Sequence, residues 1–100
     1  MNRYQLSDEA ELDLLRVLDY FESRIERAGA VIERKFIDAF LYLSEWPATG
    51  HSRDDLLDPL LKTWNVDNYV IVYGPETVPL QIYAILHGSR DLTSAFAARS

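Results

Sequence analysis

The chain has 100 residues, of which 48% are hydrophobic and 26% charged, with a formal net charge of -6 and no cysteine. Four glycines and four prolines give no sign of a linker, so residues 1–100 are expected to form one domain. Disulfides and thiolate metal sites are excluded, and two histidines far apart in the chain are a poor basis for zinc. We therefore expect no metal and no cofactor. The sequence shows neither an apolar run of ~20 residues nor a signal peptide, so we predict a soluble cytoplasmic protein with no membrane partner.

The acidic side chains are concentrated in the first half. Residues 8–45 carry ten acidic and five basic side chains, whereas residues 46–100 carry six and four. Neither half has the clustered Lys and Arg that neutralise several phosphates, so strong autonomous nucleic-acid binding is not expected. Two interpretations of the acidic half stay open: a solvated helical surface, and a face that attracts a basic partner.

A short edge strand and a helix are predicted first. Residues 3–6 alternate polar and apolar side chains, as an edge strand does. Ser7 is a suitable N-cap because carboxylates follow it, so a helix is expected from about Asp8 to about Arg27, ended by a left-handed Gly29. Its expected buried face contains Leu14, Leu15, Val17, Leu18, Phe21 and Ile25.

A second amphipathic helix is expected from about Ala30 to Trp46, closed by Pro47. The short connection predicts that the two helices form an antiparallel hairpin. The apolar side chains on its inner face are Ile32, Phe36, Phe40 and Leu43.

After a loop, the hydrophobic period changes from about 3.6 to 2, which predicts three antiparallel strands at 62–66, 69–74 and 79–87. In the last strand, one face is expected to carry Leu80, Ile82, Ala84 and Leu86. The tail then forms a short helical turn or frays. The predicted fold class is α+β: a short N-terminal strand and an antiparallel two-helix hairpin packed, as two layers, on a mainly antiparallel sheet completed by a three-strand meander.

Four patterns in this order resemble the RelE/ParE superfamily of type II toxin-antitoxin toxins, and most of all its ParE branch. They are YQLSDEAELDLLRVLDYF, FIDAFLYLSEWPATGHSRDDL, LKTWNVDNYVIVY and IYAILHGSRDL, which together span about 90 residues. The resemblance implies a small bacterial toxin that a cognate antitoxin silences. It implies DNA gyrase as the target for the ParE branch and ribosome-dependent mRNA cleavage for the RelE branch; a degenerate, non-toxic member is a third alternative. Fold alone does not decide among these.

A metal-free ribonuclease needs an acid, a base and positive charge beside one phosphate. The residues available for it are Arg53, Lys62, Tyr73, His87 and Arg90. Strand pairing separates Tyr73 from His87 by on the order of 20 Å, whereas Lys62 and Arg90 are expected near His87. This set has no obvious second acid or base, so no catalytic residue is assigned. His87 is interpreted mainly as part of the exit from the last strand.

Binding residues are predicted on two surfaces. Apolar side chains that stand off the buried stripes are candidates for antitoxin contact, namely Leu12, Tyr20, Leu41 and Tyr42. The C-terminal segment is the candidate for target contact through Arg90, Phe96 and Arg99. Trp46 and Trp64 adjoin strong apolar patterns and are expected in the core.

Overall fold

The computed structural model describes residues 3–53, 56, 58–89 and 91–97. In chain order its elements are β1 (Tyr4–Leu6), α1 (Asp8–Glu22), α2 (Ala28–Glu45), a 3-10 turn (Pro47–Thr49), β2 (His51–Ser52), β3 (Lys62–Val66), β4 (Tyr69–Gly74), β5 (Leu80–His87) and α3 (Leu92–Ala97). None of the helices in these ranges has the length and apolar character of a membrane span. The predicted α+β fold class is confirmed.

The sheet has five strands in the order β1-β5-β4-β3-β2. β1 lies at one edge and pairs with β5 in parallel, while every other pairing is antiparallel. The three strands of the meander begin and end within one residue of their predicted positions. β2 was predicted as loop, because two residues carry no periodicity.

A β-bulge in β5 changes which side chains face the helices. Val72 pairs with Ala84 but its neighbour Tyr73 pairs with Ile82, so Tyr83 is the extra residue. Leu80 and Ile82 therefore pack toward the helices, whereas Ala84 and Leu86 pack on the opposite face of the sheet. The prediction that these four residues share one face was wrong.

Both faces of the sheet are buried, so the prediction of two layers, with helices on one face, was incomplete. The helix side holds a cluster built around Phe36, Phe40, Leu43, Ile71, Tyr73 and Ile82. On the other face, Val70, Val72, Ala84 and Leu86 pack against Leu56, Leu61 and Leu92, with Phe96 partly buried beside them. Leu56 and Leu61, from between β2 and β3, thus form a partial third layer together with α3. The continuous apolar sequence YVIVYG of β4 is the signal for a strand buried on both faces.

The turn between the helices differs from the prediction. α1 ends at Glu22, and the carboxylate of Glu22 accepts hydrogen bonds from the N–H groups of Arg27 and Gly29, both at 3.0 Å. The left-handed residue is Arg27, with φ 70°, while Gly29 lies inside α2. A Cβ on Gly29 would lie 3.0 Å from the Glu22 carboxylate and 3.2 Å from the Leu18 carbonyl, so a larger residue would require these neighbours to shift. Ile25, predicted in the core, lies in this turn and is exposed.

The start of α1 fixes the helix against β5. Ser7 caps the helix as predicted, accepting from the N–H of Ala10 at 3.1 Å. Its own N–H donates to the carbonyl of Ile82 at 3.0 Å, which continues the β1 ladder into the helix. Beyond the end of β1, the buried carboxylate of Asp13 accepts the N–H of Ile85 at 3.0 Å. A helix side chain thus satisfies a strand donor that has no neighbouring strand, as buried backbone groups require.

Replacing Asp13 by Ala is expected to destabilise the fold by about 1–3 kcal/mol, because the buried N–H of Ile85 then loses its acceptor. Asp13→Asn keeps an acceptor oxygen and should cost less. Urea unfolding measures both, with exposed Asp19→Ala as the control, expected within about 0.5 kcal/mol of the parent protein. Equal stability of the Asp13→Ala and Asp19→Ala variants would contradict the assigned role.

Candidate functional site

The residues considered for a nuclease lie at two ends of the sheet. Lys62 pairs with Tyr73, whereas His87 pairs with Tyr69 at the opposite end of β4. The four positions from Tyr69 to Tyr73 correspond to about 13 Å along the strand. The prediction that Lys62 approaches His87 was therefore wrong, because the β3–β4 turn returns the start of β3 to the end of β4. Arg90 lies outside the described residues.

At the Lys62 end, the polar groups are engaged within the fold. Lys62 donates to the hydroxyl of Ser52 at 3.1 Å across the β2–β3 pair, and Arg53, half-buried, also has a partner. Tyr73 is fully buried. Its hydroxyl donates to the carbonyl of Pro47 at 2.6 Å and accepts the N–H of Gly50 at 3.0 Å. Tyr73 thus ties the segment after α2 to the sheet and has no hydroxyl proton to offer a substrate.

His87 is exposed at the last position of β5, as expected for a strand exit. Its Nδ1 accepts the backbone N–H of Ser89 at 3.2 Å, which in the neutral ring leaves the proton on Nε2. The ring contacts Tyr69 edge to face, with centroids 5.3 Å apart. The N–H of Gly88 donates to the carbonyl of Asn68 at 2.7 Å, and a Cβ on Gly88 would lie 3.1 Å from that oxygen. Residues 87–89 therefore close the β4–β5 hairpin at the end opposite its connecting loop.

The four candidate antitoxin contacts do not form one surface. Leu41 is half-buried and lines a cleft with β1 and Glu11, which is next to Leu12 on α1. Tyr42 lies on another flank of α2, packed on Trp64 with ring centroids 5.5 Å apart. Tyr20 is near the other end of α1 and lines a cleft with β4 and β5. Leu12, Tyr20 and Tyr42 are exposed, so each is accessible to a partner.

Exposed apolar side chains that sequence reasoning placed in the core add to the hairpin surface. Leu15 is 60% exposed and stands three positions from Leu12, which is 52% exposed, so the two are neighbours on α1. Trp46 is 57% exposed at the residue that follows α2, whereas Trp64 is partly buried against the core, as predicted. Adjacency to an apolar stripe was a misleading signal, because the chain turns away at Pro47.

A cleft of about 720 Å³ with a mixed polar and apolar lining opens between α1 and the end of the β4–β5 hairpin where β5 finishes. Polar side chains contribute from α1 and from both strand ends, and Ala95 of α3 closes one side. The side chains that line it include Asp13, Arg16, Tyr20, Tyr69, His87 and Ser89. Burial raises the pKa of Tyr69, with a smaller contribution from neighbouring Tyr20, so the Tyr69 phenol stays protonated at neutral pH. Within the described ranges, no group of three or more potential metal ligands occurs.

Comparison with known protein families decides the relationship of this chain. A family model described as the ParE toxin of the type II toxin-antitoxin system parDE matches residues 4–92. The chain belongs to the ParE toxin family. It is therefore a type II toxin of a toxin-antitoxin system, from the ParE branch of the RelE/ParE superfamily, as the sequence motifs predicted.

The ParE-type fold is also seen in a solved structure of the chromosomal ParDE toxin-antitoxin system from P. aeruginosa. One of its chains matches with a TM-score of 0.70 and 16% sequence identity, covering 87% of this toxin and 96% of that chain. At this identity, the likeness shows the fold alone. No curated protein matches the sequence.

Of the three C-terminal residues predicted to contact the target of this ParE-family toxin, the structure describes Phe96. Phe96 is half-buried and packs beside Leu92 on the second face of the sheet, so its ring contributes to the fold. Arg90 and Arg99 lie outside the described residues. Truncation after Leu92 would remove Phe96 from this cluster, so substitution is a cleaner test of target contact than truncation.

Tyr73→Phe is expected to cost about 1–3 kcal/mol, since it leaves the Pro47 carbonyl and the Gly50 N–H without their partner. Burial raises the pKa of Tyr73 above the usual 10.0, and the hydrogen bond from Gly50 offsets part of this. Because the folded state favours the neutral phenol, the stability difference should be constant below about pH 10 and fall as the pH rises through the raised pKa.

Chemical unfolding between pH 7 and 11 measures this difference. Tyr42→Phe is the matched control, because no hydrogen bond of its hydroxyl is found among the described residues; it should change stability by less than about 0.5 kcal/mol. If Tyr73→Phe behaved like Tyr42→Phe, the two hydrogen bonds of Tyr73 would not be holding the segment to the sheet.

Proposed function

We propose that this ParE-family toxin acts by binding and inhibiting DNA gyrase, and that a cognate antitoxin neutralises it. The carrying observation is the family match together with the separation of the polar groups that a nuclease requires. Lys62 and the buried Tyr73 lie at one end of β4, and His87 lies at the other. A metal-free phosphoryl transfer needs its acid, base and cation around one phosphate, so recognition of a protein target is the better supported chemistry.

The proposed antitoxin contacts are apolar side chains of the hairpin that are exposed or, for Leu41, half-buried. Leu12 and Leu15 form a pair on α1, and Leu41 and Tyr42 offer further apolar area on either flank of α2. Tyr20 contributes near the other end of α1. Amphipathic partner segments bind such surfaces by burying apolar side chains that the free protein exposes to water.

Target contact is proposed for the C-terminal segment, through Arg90, Phe96 and Arg99. Phe96 retains some exposed area while it packs on the sheet, so it fits a role that combines folding and binding. The two arginines supply positive charge in a chain with a net charge of -6. Since gyrase acts on chromosomal DNA, the proposed site of action is the bacterial cytoplasm.

Inducing the toxin without its antitoxin in bacteria is expected to stop thymidine incorporation before methionine incorporation, within the first minutes. Replacing His87 or Lys62 by Ala should leave this order unchanged, because neither residue is assigned a catalytic role. An earlier collapse of methionine incorporation would favour the ribosomal nuclease. Normal growth despite accumulation of the folded protein would favour a non-toxic member.

Antitoxin binding is expected to weaken at least tenfold in the Leu12→Glu variant, because a carboxylate would replace an apolar contact; tenfold corresponds to about 1.4 kcal/mol. Leu15→Glu should have a similar effect. Titration calorimetry with the cognate antitoxin measures both. The control is Val78→Glu, at a 98% exposed position in the β4–β5 loop. Unchanged affinity for both α1 variants would remove this surface from the interface.

A further inference from the structure

The cleft between α1 and the end of the β4–β5 hairpin contains hydrogen-bond donors that the fold does not use. Within the described part of the chain, the guanidinium of Arg16 has no hydrogen bond or ion pair, and the hydroxyls of Tyr20 and Tyr69 make no hydrogen bond. His87 uses its Nδ1 to accept from Ser89, which leaves the Nε2–H of the neutral ring as a further donor. These four side chains line one cleft.

Their placement is fixed by regular structure. Arg16 and Tyr20 are four positions apart on α1 and so lie on one face of the helix. Tyr69 and His87 are paired residues on β4 and β5, with ring centroids 5.3 Å apart. Arg24 lies 3.6 Å from the centre of the Tyr20 ring and donates to the Tyr20 carbonyl, which restrains that side chain. These contacts hold the rings of Tyr20, Tyr69 and His87 in place, whereas Arg16 is positioned by its place on α1 alone.

Two formally charged side chains contribute to the described lining of the cleft, Arg16 and Asp13. Arg16 is the one fixed cation among the described lining residues. Asp13 also lines the cleft, but it is buried and its carboxylate accepts the Ile85 N–H, so part of its charge is compensated. A single arginine with neutral donors matches a carboxylate, whose two oxygens fit the planar guanidinium. Groups with several negative charges usually meet more than one cation.

The apolar residues that line the cleft indicate what kind of molecule would carry the carboxylate. Apolar surface comes from both sides of the cleft, through Val17, Phe21, Ile85, Leu86 and Ala95. A volume of about 720 Å³ exceeds that of one small anion and suits several residues of an extended peptide. We propose that this cleft binds a segment of a partner protein in which a glutamate or aspartate is flanked by apolar residues. This inference does not depend on gyrase being the target.

Three probes test the inference by NMR titration of the purified, nitrogen-15-labelled protein. They are acetyl-Leu-Glu-Leu-amide, the corresponding Gln peptide and inorganic phosphate. The Glu peptide is expected to shift the Arg16 side-chain N–H and the His87 ring signals, and to bind at least tenfold more tightly than the Gln peptide. Phosphate should bind more weakly than the Glu peptide.

Variants separate the carboxylate contact from general effects on folding. Arg16→Gln should reduce the preference for the Glu peptide to less than twofold, and Tyr69→Phe should reduce it partly while the amide spectrum stays folded. Arg34→Gln is the matched control, since Arg34 pairs with Asp38 on α2 and does not line the cleft. Equal affinity for the Glu and Gln peptides, tighter binding of phosphate, or no shift of cleft residues with any probe would overturn the proposal.

Discussion

The hydrogen bond from the Ile85 N–H to the buried Asp13 carboxylate holds the layers of this toxin in register. β1 covers the edge of β5 only as far as Ile82, and the bulge at Tyr83 then reverses which side chains face the helices. Past that point, α1 rather than a strand satisfies the edge of β5. Because Asp13 sets the position of α1 along β5, it also places Arg16 and Tyr20 over the end of the sheet.

The use of polar groups distinguishes the two ends of the sheet. At the Lys62 end, Tyr73, Lys62 and Ser52 are consumed by hydrogen bonds that hold the connection from α2 to β3. At the His87 end, donors from α1, β4 and β5 remain available in an open cleft. A ParE-family fold with engaged polar groups at one end and exposed apolar side chains on its hairpin is suited to binding other proteins. The proposals on antitoxin, gyrase and the acidic peptide all rest on this difference between engaged polar groups at the Lys62 end and surfaces that are free to bind a partner elsewhere.

The sequence was sufficient for the order of β1, the helical hairpin and the meander because α1, α2 and the meander have strong hydrophobic periods, whereas the two-residue β2 was missed. It did not predict the bulge, since residues 83–86 are Tyr, Ala, Ile and Leu, and a change of face within this run leaves no charged or amide side chain in the core. Ile25 and Trp46 were misplaced because the apolar pattern was continued past Glu22 and Glu45, where the two helices end. Asp13 did leave a signal, because it is an acidic residue on the helix face that carries Ala10, Leu14 and Val17. Its partner Ile85, however, is 72 positions away in the sequence. The separation of Tyr73 from His87 followed from strand pairing, whereas the position of Lys62 required the register of the β3–β4 turn.

The proposed action of this toxin is the binding of gyrase, with no cleavage of mRNA by the toxin itself. The most direct measurement adds the purified toxin in parallel to gyrase with relaxed plasmid and to ribosomes translating a labelled mRNA. A gyrase-binding toxin should abolish supercoiling and leave the mRNA intact, and supercoiling should recover when the antitoxin is added. Normal supercoiling with mRNA cut within the ribosome would contradict this proposed action.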